Sequence, residues 1–82
     1  MDAGEAFGKV LRRVRREAGL TQEQLGFEAD LRRTYVSLLE LGQQQPSLTT
    51  ILKLAAALQR RPGELLDLTA NELNKEEKTS AS

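Results

Sequence analysis

Residues 21–42, TQEQLGFEADLRRTYVSLLELG, constrain the fold more than any other stretch of this chain. They read as two short helices around a tight turn. Thr21 followed by Gln24 is a capping-box pattern that opens the first helix. Leu25 and Ala29, four apart, share its inner face. The chain must then turn at Ala29-Asp30-Leu31, where Asp30 tolerates a left-handed backbone better than most residues. In the second helix Val36 and Leu39 face inward, and the opposite face carries Arg33, Thr34, Ser37, Leu38 and Leu41. Two helices joined by so few residues form a corner, and the second of such a pair can lie in a DNA major groove.

The remaining segments predict helices that support this corner. Phe7, Val10, Leu11, Val14 and Ala18 recur at i, i+3, i+4, i+7 and i+11, which gives an amphipathic helix over 5–18 ended by Gly19. The corner helices occupy 21–29 and 32–40, with Gly42 as a left-handed stop. Gln43-Gln44-Gln45-Pro46 reads as a polar loop. Ser47 can cap a fourth helix, whose Leu48, Ile51, Leu52, Ala55 and Leu58 form an inward stripe. Pro62 suits the first position of a fifth, carrying Leu65, Leu66 and Leu68. No strand pattern or internal repeat interrupts the series. The expectation is an all-α fold of five helices, with one domain over 5–68. A short polar extension follows over 69–82, fraying across 74–82.

Composition excludes several functions. The 82 residues include no cysteine and no histidine, so neither a disulfide framework nor a Cys/His zinc site can be built. There is also no phosphate-binding glycine loop and no cluster of carboxylates. No enzyme, metal, cofactor or small-molecule ligand is therefore expected. No apolar run approaches the roughly 20 residues that span a bilayer. The N-terminus MDAGEAFG lacks the charged and apolar regions of a signal peptide, so a soluble cytoplasmic protein without membrane contact is expected. The formal net charge is zero, but residues 6–62 hold ten Lys/Arg against five acids, a net of +5, and the two ends together carry −5. A basic body is compatible with phosphate binding, because salt screens distant charge over ~10 Å. An ordinary solvated surface accounts for it equally well.

The corner resembles the helix-turn-helix of the phage-repressor superfamily, the XRE-like group that includes lambda repressor and Cro. The family's Leu-Thr-Gln-x-x-Leu is matched by Leu20-Thr21-Gln22-Glu23-Gln24-Leu25, and its Tyr-Ile/Val-Ser-x-x-Glu by Tyr35-Val36-Ser37-Leu38-Leu39-Glu40. Gly42, Pro46-Ser47-Leu48 and Pro62-Gly63-Glu64-Leu65-Leu66 continue the match, which covers roughly 5–68. The resemblance implies a lambda-repressor-like domain that binds double-stranded DNA. It further implies a bacterial or phage-encoded regulator working as a homodimer on palindromic operators. The single-domain size and Arg33-Thr34-Tyr35-Val36-Ser37 are similar to controller proteins of restriction–modification systems. A small phage-type repressor, or an antitoxin repressing its own operon, fits the same residues. The rival class is a helical protein-interaction module without DNA readout, favoured by the neutral total charge and the outward Leu38 and Leu41.

Within this resemblance the side chains take roles. Arg33 and Thr34 lie in the first turn of the recognition helix, and Arg33 can donate two parallel hydrogen bonds to guanine O6 and N7. Thr34 and Ser37 are short enough to reach a base or a phosphate. Leu38 either touches a thymine methyl group or is a singly exposed leucine. In the resembling repressors the glutamine matching Gln22 binds a phosphate and braces a third-helix side chain, here Arg33. Gln43 and the amides around Ser47-Leu48-Thr49 either hold a second phosphate or belong to a plain solvated loop. Arg15 matches the family arginine that pairs with a third-helix glutamate, here Glu40. Arg12, Arg13 and Arg16 serve phosphate contact or solubility.

Three positions depart from the family pattern. Arg32 stands where a Ser- or Asp-like cap is usual, which costs ~1 kcal/mol and sets positive charge at the positive end of a helix dipole. A phosphate bound there would offset this, so Arg32 is a candidate phosphate contact. Arg61 replaces the cap of the fifth helix, with Glu64 placed to compensate. Gly26 replaces a common alanine and permits close helix approach. Leu65, Leu66 and Leu68 offer more apolar surface than the inner side of so short a helix needs, and form the expected dimer interface, extended by Leu73.

Overall fold

A computed structural model describes residues 1–81, with side chains through residue 75. Its helices are α1 (Ala3–Glu17), α2 (Gln22–Ala29), α3 (Arg33–Glu40), α4 (Leu48–Leu58) and α5 (Pro62–Ala81), and the described residues contain no strand. The starts follow from side-chain caps. Thr21 Oγ1 accepts from the Gln24 N–H at 3.0 Å while the Gln24 side chain accepts from the Thr21 N–H at 2.9 Å. Ser47 Oγ accepts from the Thr50 N–H at 3.1 Å. Asp2 and Glu5 form a second reciprocal box, so α1 begins at Ala3, ahead of its apolar stripe.

The ends of the first four helices share one device. Gly19, Asp30, Gly42 and Gln59 have left-handed backbones, with φ of 75°, 56°, 74° and 56°. After each, the next N–H returns to a carbonyl in the last turn: Leu20 to Arg15, Leu31 to Gly26, Gln43 to Leu38 and Arg60 to Ala55. This is the Schellman arrangement, which satisfies carbonyls that the helix leaves unpaired. Glycine adopts the conformation without steric cost, whereas a side chain there costs roughly 1–2 kcal/mol, so Asp30 and Gln59 carry local strain.

Val10, Leu11 and Val14 of α1, Leu25, Val36, Leu39, Leu54 and Leu65 are all fully buried and form the core. Burying each such side chain contributes about 1.5–3 kcal/mol. α1 packs on α3 and α5, α2 on α3 and α4, and α4 on α5. Gly8 sets the first of these crossings. A methyl group on it would stand 2.5 Å from the Leu39 carbonyl oxygen and 2.7 Å from that of Glu40, so α1 touches α3 backbone to backbone. Gly26 does the same for the corner, where a methyl group would meet the Leu31 carbonyl at 2.6 Å.

Several expectations are corrected here. Ala18 is the exposed cap of α1 rather than part of its stripe. In α4, Leu48 and Leu52 are 72% and 49% exposed, and Leu54 is buried in their place beside Ala55 and Leu58. This helix must face α2 and α5 together, and that rotates its buried arc away from Leu48. Leu65 is wholly inside the chain's own core and has no surface to give a partner; Leu68 is half-buried against that core, while Leu66 stays exposed.

The polar extension expected over 69–82 is also revised. α5 continues to Ala81, Thr69 is buried with its hydroxyl donating to the Leu65 carbonyl at 2.7 Å, and Arg13 reaches Glu72 at 2.9 Å. The hydrogen bond from Arg13 holds the Glu72 carboxyl below the usual carboxylate range. That contribution is complete near neutral pH and disappears as pH falls through the lowered value. The fraying expected over 74–82 falls mainly on residues 76–82, whose side chains lie outside the described residues. No helix among the described residues is long and apolar enough to cross a membrane.

Two substitutions test this account by thermal unfolding. Gly8→Ala should cost about 1–3 kcal/mol, because both atoms it meets are backbone. Gln59→Gly should stabilise the chain by up to ~1 kcal/mol through relief of the left-handed cap.

Candidate nucleic-acid interface

The candidate surface is organised around a buried carboxylate. Glu40, in the last turn of α3, has a side chain only 3% exposed. Arg15 Nε donates to its Oε2 at 2.6 Å and Arg15 Nη2 to its Oε1 at 3.0 Å, a fork-to-fork pair. Arg15 Nη1 donates to the Leu20 carbonyl at 2.8 Å, just before the cap of α2. Gln22 Nε2 donates to Glu40 Oε1 at 3.1 Å. The bond to Glu40 outweighs burial and raises the Arg15 pKa above its already high ordinary value, so the guanidinium stays charged. No buried side-chain nitrogen or oxygen among the described residues lacks a hydrogen-bond partner.

The amide nitrogen of Gln22 is taken up by Glu40, and Arg33, whose guanidinium only donates, could be met by the Gln22 carbonyl oxygen alone. Gln22 and Arg33 nonetheless line the same open groove, together with Arg15, Thr21, Glu23 and Gln24.

α3 divides sharply between its two faces. Val36 and Leu39 are buried, while Arg32, Arg33 and Thr34 are exposed at its start. Arg32 is the N-cap and makes no side-chain capping bond, so the first amides of α3 receive nothing from it. Ser37 and Leu38 are half-buried, and the reading of Leu38 as a singly exposed leucine therefore fails; Leu41, at 60% exposed, is the outward one. Gln43 and Thr49 are both exposed, on the loop after α3 and the first turn of α4. Thr50, beside Thr49, is buried and hydrogen-bonded to Ser47. Glu64 pairs with Arg60 one helical turn away, not with Arg61, and Arg60 also lies 3.5 Å from Glu17.

The structure thus gathers guanidinium, hydroxyl and amide groups around the starts of α2 and α3. Such groups can donate to phosphate oxygens and to the acceptor edges of bases. Sequence reasoning gave no place to Phe27, which is 85% exposed on α2, and turned Leu48 and Leu52 inward. Leucine patterning carried no signal of that exposure, since α4 is apolar on more than one side.

Comparison with known proteins places this geometry among relatives. A helix-turn-helix family profile matches residues 11–65. The control protein C.BamHI of Bacillus amyloliquefaciens is 44% identical over 64 residues, covering 77% of this chain and 79% of that protein. The crystal structure of the restriction-modification controller protein C.AhdI from Aeromonas hydrophila is 49% identical, with a TM-score of 0.73 over 74% of this chain and 92% of that one. The clp gene regulator ClgR from Corynebacterium glutamicum superposes over 99% of this chain and 86% of its own, with a TM-score of 0.92. At 23% identity that likeness is one of fold alone.

The uncapped start of α3 yields a direct test. Arg32→Ser should supply the missing cap and remove an unfavourable charge, stabilising the free protein by about 1–2 kcal/mol. Thermal unfolding measures this, and a less stable variant would mean that Arg32 has a packing role.

Proposed function

Since the chain belongs to the helix-turn-helix family, we propose that it is a DNA-binding transcriptional regulator that reads palindromic operators as a homodimer. The observation that carries this reading is the start of α3. Arg32, Arg33 and Thr34 stand exposed there while Val36 and Leu39 lock the helix to the core behind them. Arg33 reads guanine, Thr34, Ser37 and Leu38 read or pack on neighbouring base edges, and Arg32, Gln43 and Thr49 hold phosphates. The similarity to C.BamHI and C.AhdI favours a controller of a restriction–modification system over a phage repressor or an antitoxin. Its place of action is then the cytoplasm of a bacterial cell, with the DNA.

One motif reads few base pairs, and a symmetric pair on a two-fold site doubles the contact. The surface for pairing lies mainly on α4 rather than at Leu65 and Leu68. Leu48 and Leu52 are exposed one helical turn apart, and Ile51 and Leu66 line a common groove beside them. Clustered exposed leucines are a typical mark of an association surface.

Selection from random duplexes should recover two-fold sites with half-sites centred about 10 bp apart or a multiple of that. Recovery of no duplex at all, at low or high salt, would favour the protein-interaction module. Arg33→Ala should cost about 1–3 kcal/mol and relax preference at one base pair per half-site. Arg32→Ala should weaken all duplexes alike and flatten the salt slope by ~1 for each phosphate that Arg32 neutralises. Leu52→Glu should give a monomer in sedimentation and a weaker operator complex; an unchanged dimer would move the interface elsewhere.

A further inference from the structure

We propose that the outer face of α1 grips phosphates of the duplex beyond each recognised half-site, through Arg12 and Arg16. This rests on the DNA-binding reading of α3 and on pairing through α4. From Lys9 to Arg16 every exposed side chain of α1 is a cation, and every other residue is buried. Arg15 marks the side of α1 that faces α3. Counted from it, Arg12, Arg16, Lys9 and Arg13 follow at roughly 60°, 100°, 120° and 160° around the helix. Together they form one stripe, opposite the buried Val10, Leu11 and Val14.

Neighbouring acids divide this stripe. Arg13 reaches Glu72 at 2.9 Å, and Lys9 stands close enough to act on the same carboxyl. Glu5 is taken up by the Asp2 capping box, and Glu17 lies against Arg60. Among the described residues no carboxylate pairs with Arg12 or Arg16. These two are also the nearest of the stripe to Arg15, which lines the groove shared by Gln22 and Arg33.

A protein partner would be met by a centre of apolar or aromatic side chains, and the stripe has none. Guanidinium groups one turn apart, ~6 Å along the helix, suit a phosphate strand whose charges recur every ~3.4 Å of duplex. Packing sets the direction. α1 packs chiefly on α3 and α5, which leaves α2 and α4 across the core from the stripe. Pairing at Leu48 and Leu52 of α4 therefore turns the two stripes away from the two-fold axis, toward the ends of the operator.

Titrations over a range of salt test this on two duplexes, the selected two-fold site alone and the same site extended by about 10 bp at each end. The unaltered chain should hold the extended duplex more tightly. Arg12→Gln combined with Arg16→Gln should remove that advantage and flatten the salt slope on the extended duplex by roughly 3–4 per dimer. Base preference and affinity for the short duplex should not change. Both side chains are exposed, so thermal unfolding should be unaffected. Arg13→Gln, whose charge Glu72 already answers, should keep the full slope.

An equal loss on both duplexes would place the contacts inside the half-site and overturn the proposal. Unchanged titrations on both would also overturn it, leaving the stripe to an acidic protein or to solvent. An equal flattening by Arg13→Gln would do the same, by making the effect one of net charge. If the unaltered chain binds no duplex, it is the DNA-binding reading that fails, a result distinct from each of these.

Discussion

Three helices converge on the carboxylate of Glu40. Arg15 approaches from α1, Gln22 from the first turn of α2, and Glu40 itself closes α3. Arg15 also ties down the Leu20 carbonyl at the entrance to α2. Burying two charges has a desolvation cost that their attraction only roughly offsets, so the pair adds little net stability over an apolar substitute. Removing one partner is another matter, at ~3–5 kcal/mol, because a buried charge is then left alone. The pair acts chiefly by fixing geometry. A shifted α3 would strand the Glu40 carboxylate, so the angle of α3 is held by a directional fork-to-fork pair.

The glycines act on the same crossing. Gly8 lets the backbone of α1 reach the end of α3, which brings Arg15, two turns further along, to the level of Glu40. Gly26 lets the Asp30–Arg32 turn fold closely onto α2, and a corner this tight leaves no room for a side chain there. A domain of this size has a total stability of only about 4–12 kcal/mol. Strain at Asp30 and Gln59 and the absent cap at Arg32 are large on that scale. The chain tolerates them because its fully buried leucines and valines spread over all five helices.

Much of this was legible in the sequence because local chemistry and the fold agree there. The caps at Thr21 and Ser47, the left-handed turn at Asp30 and the buried Val36 and Leu39 each follow from a pattern within a few residues. The failures share a different cause. Leu48, Ile51, Leu52, Leu54, Ala55 and Leu58 offer α4 more than one apolar arc, and only its two neighbouring helices select the one that is buried. Leu65 reads as surplus in a short fifth helix, yet α5 serves α1 and α4 at once and uses it fully. The close approach at Gly8 depends on a contact with residues some thirty positions away, and no local pattern announces it. For the candidate site, the exposure of Arg32, Arg33 and Thr34 at the start of α3 was legible from the helix pattern. The engagement of Gln22 by Glu40 was not, since it depends on where α2 starts relative to the end of α3.

The position of α4 connects the two halves of the proposed activity. Its first turn carries Thr49 on the polar side and Leu48 on the apolar side, both exposed. α4 packs on α2 and α5, and α2 packs on α3. In the proposed dimer the path from the paired leucines to each recognition helix therefore runs through two helix–helix contacts and no long loop. Packed helices move as rigid bodies with little compliance. The distance between recognition helices would thus be fixed by packing, and a half-site spacing changed by even one base pair would meet resistance in the protein rather than adjustment. The neutral total charge has a place in the same arrangement. Ten of the twelve basic residues lie within 6–62 while acids outnumber bases toward both ends, so attraction to DNA is concentrated in the part of the chain that bears α3.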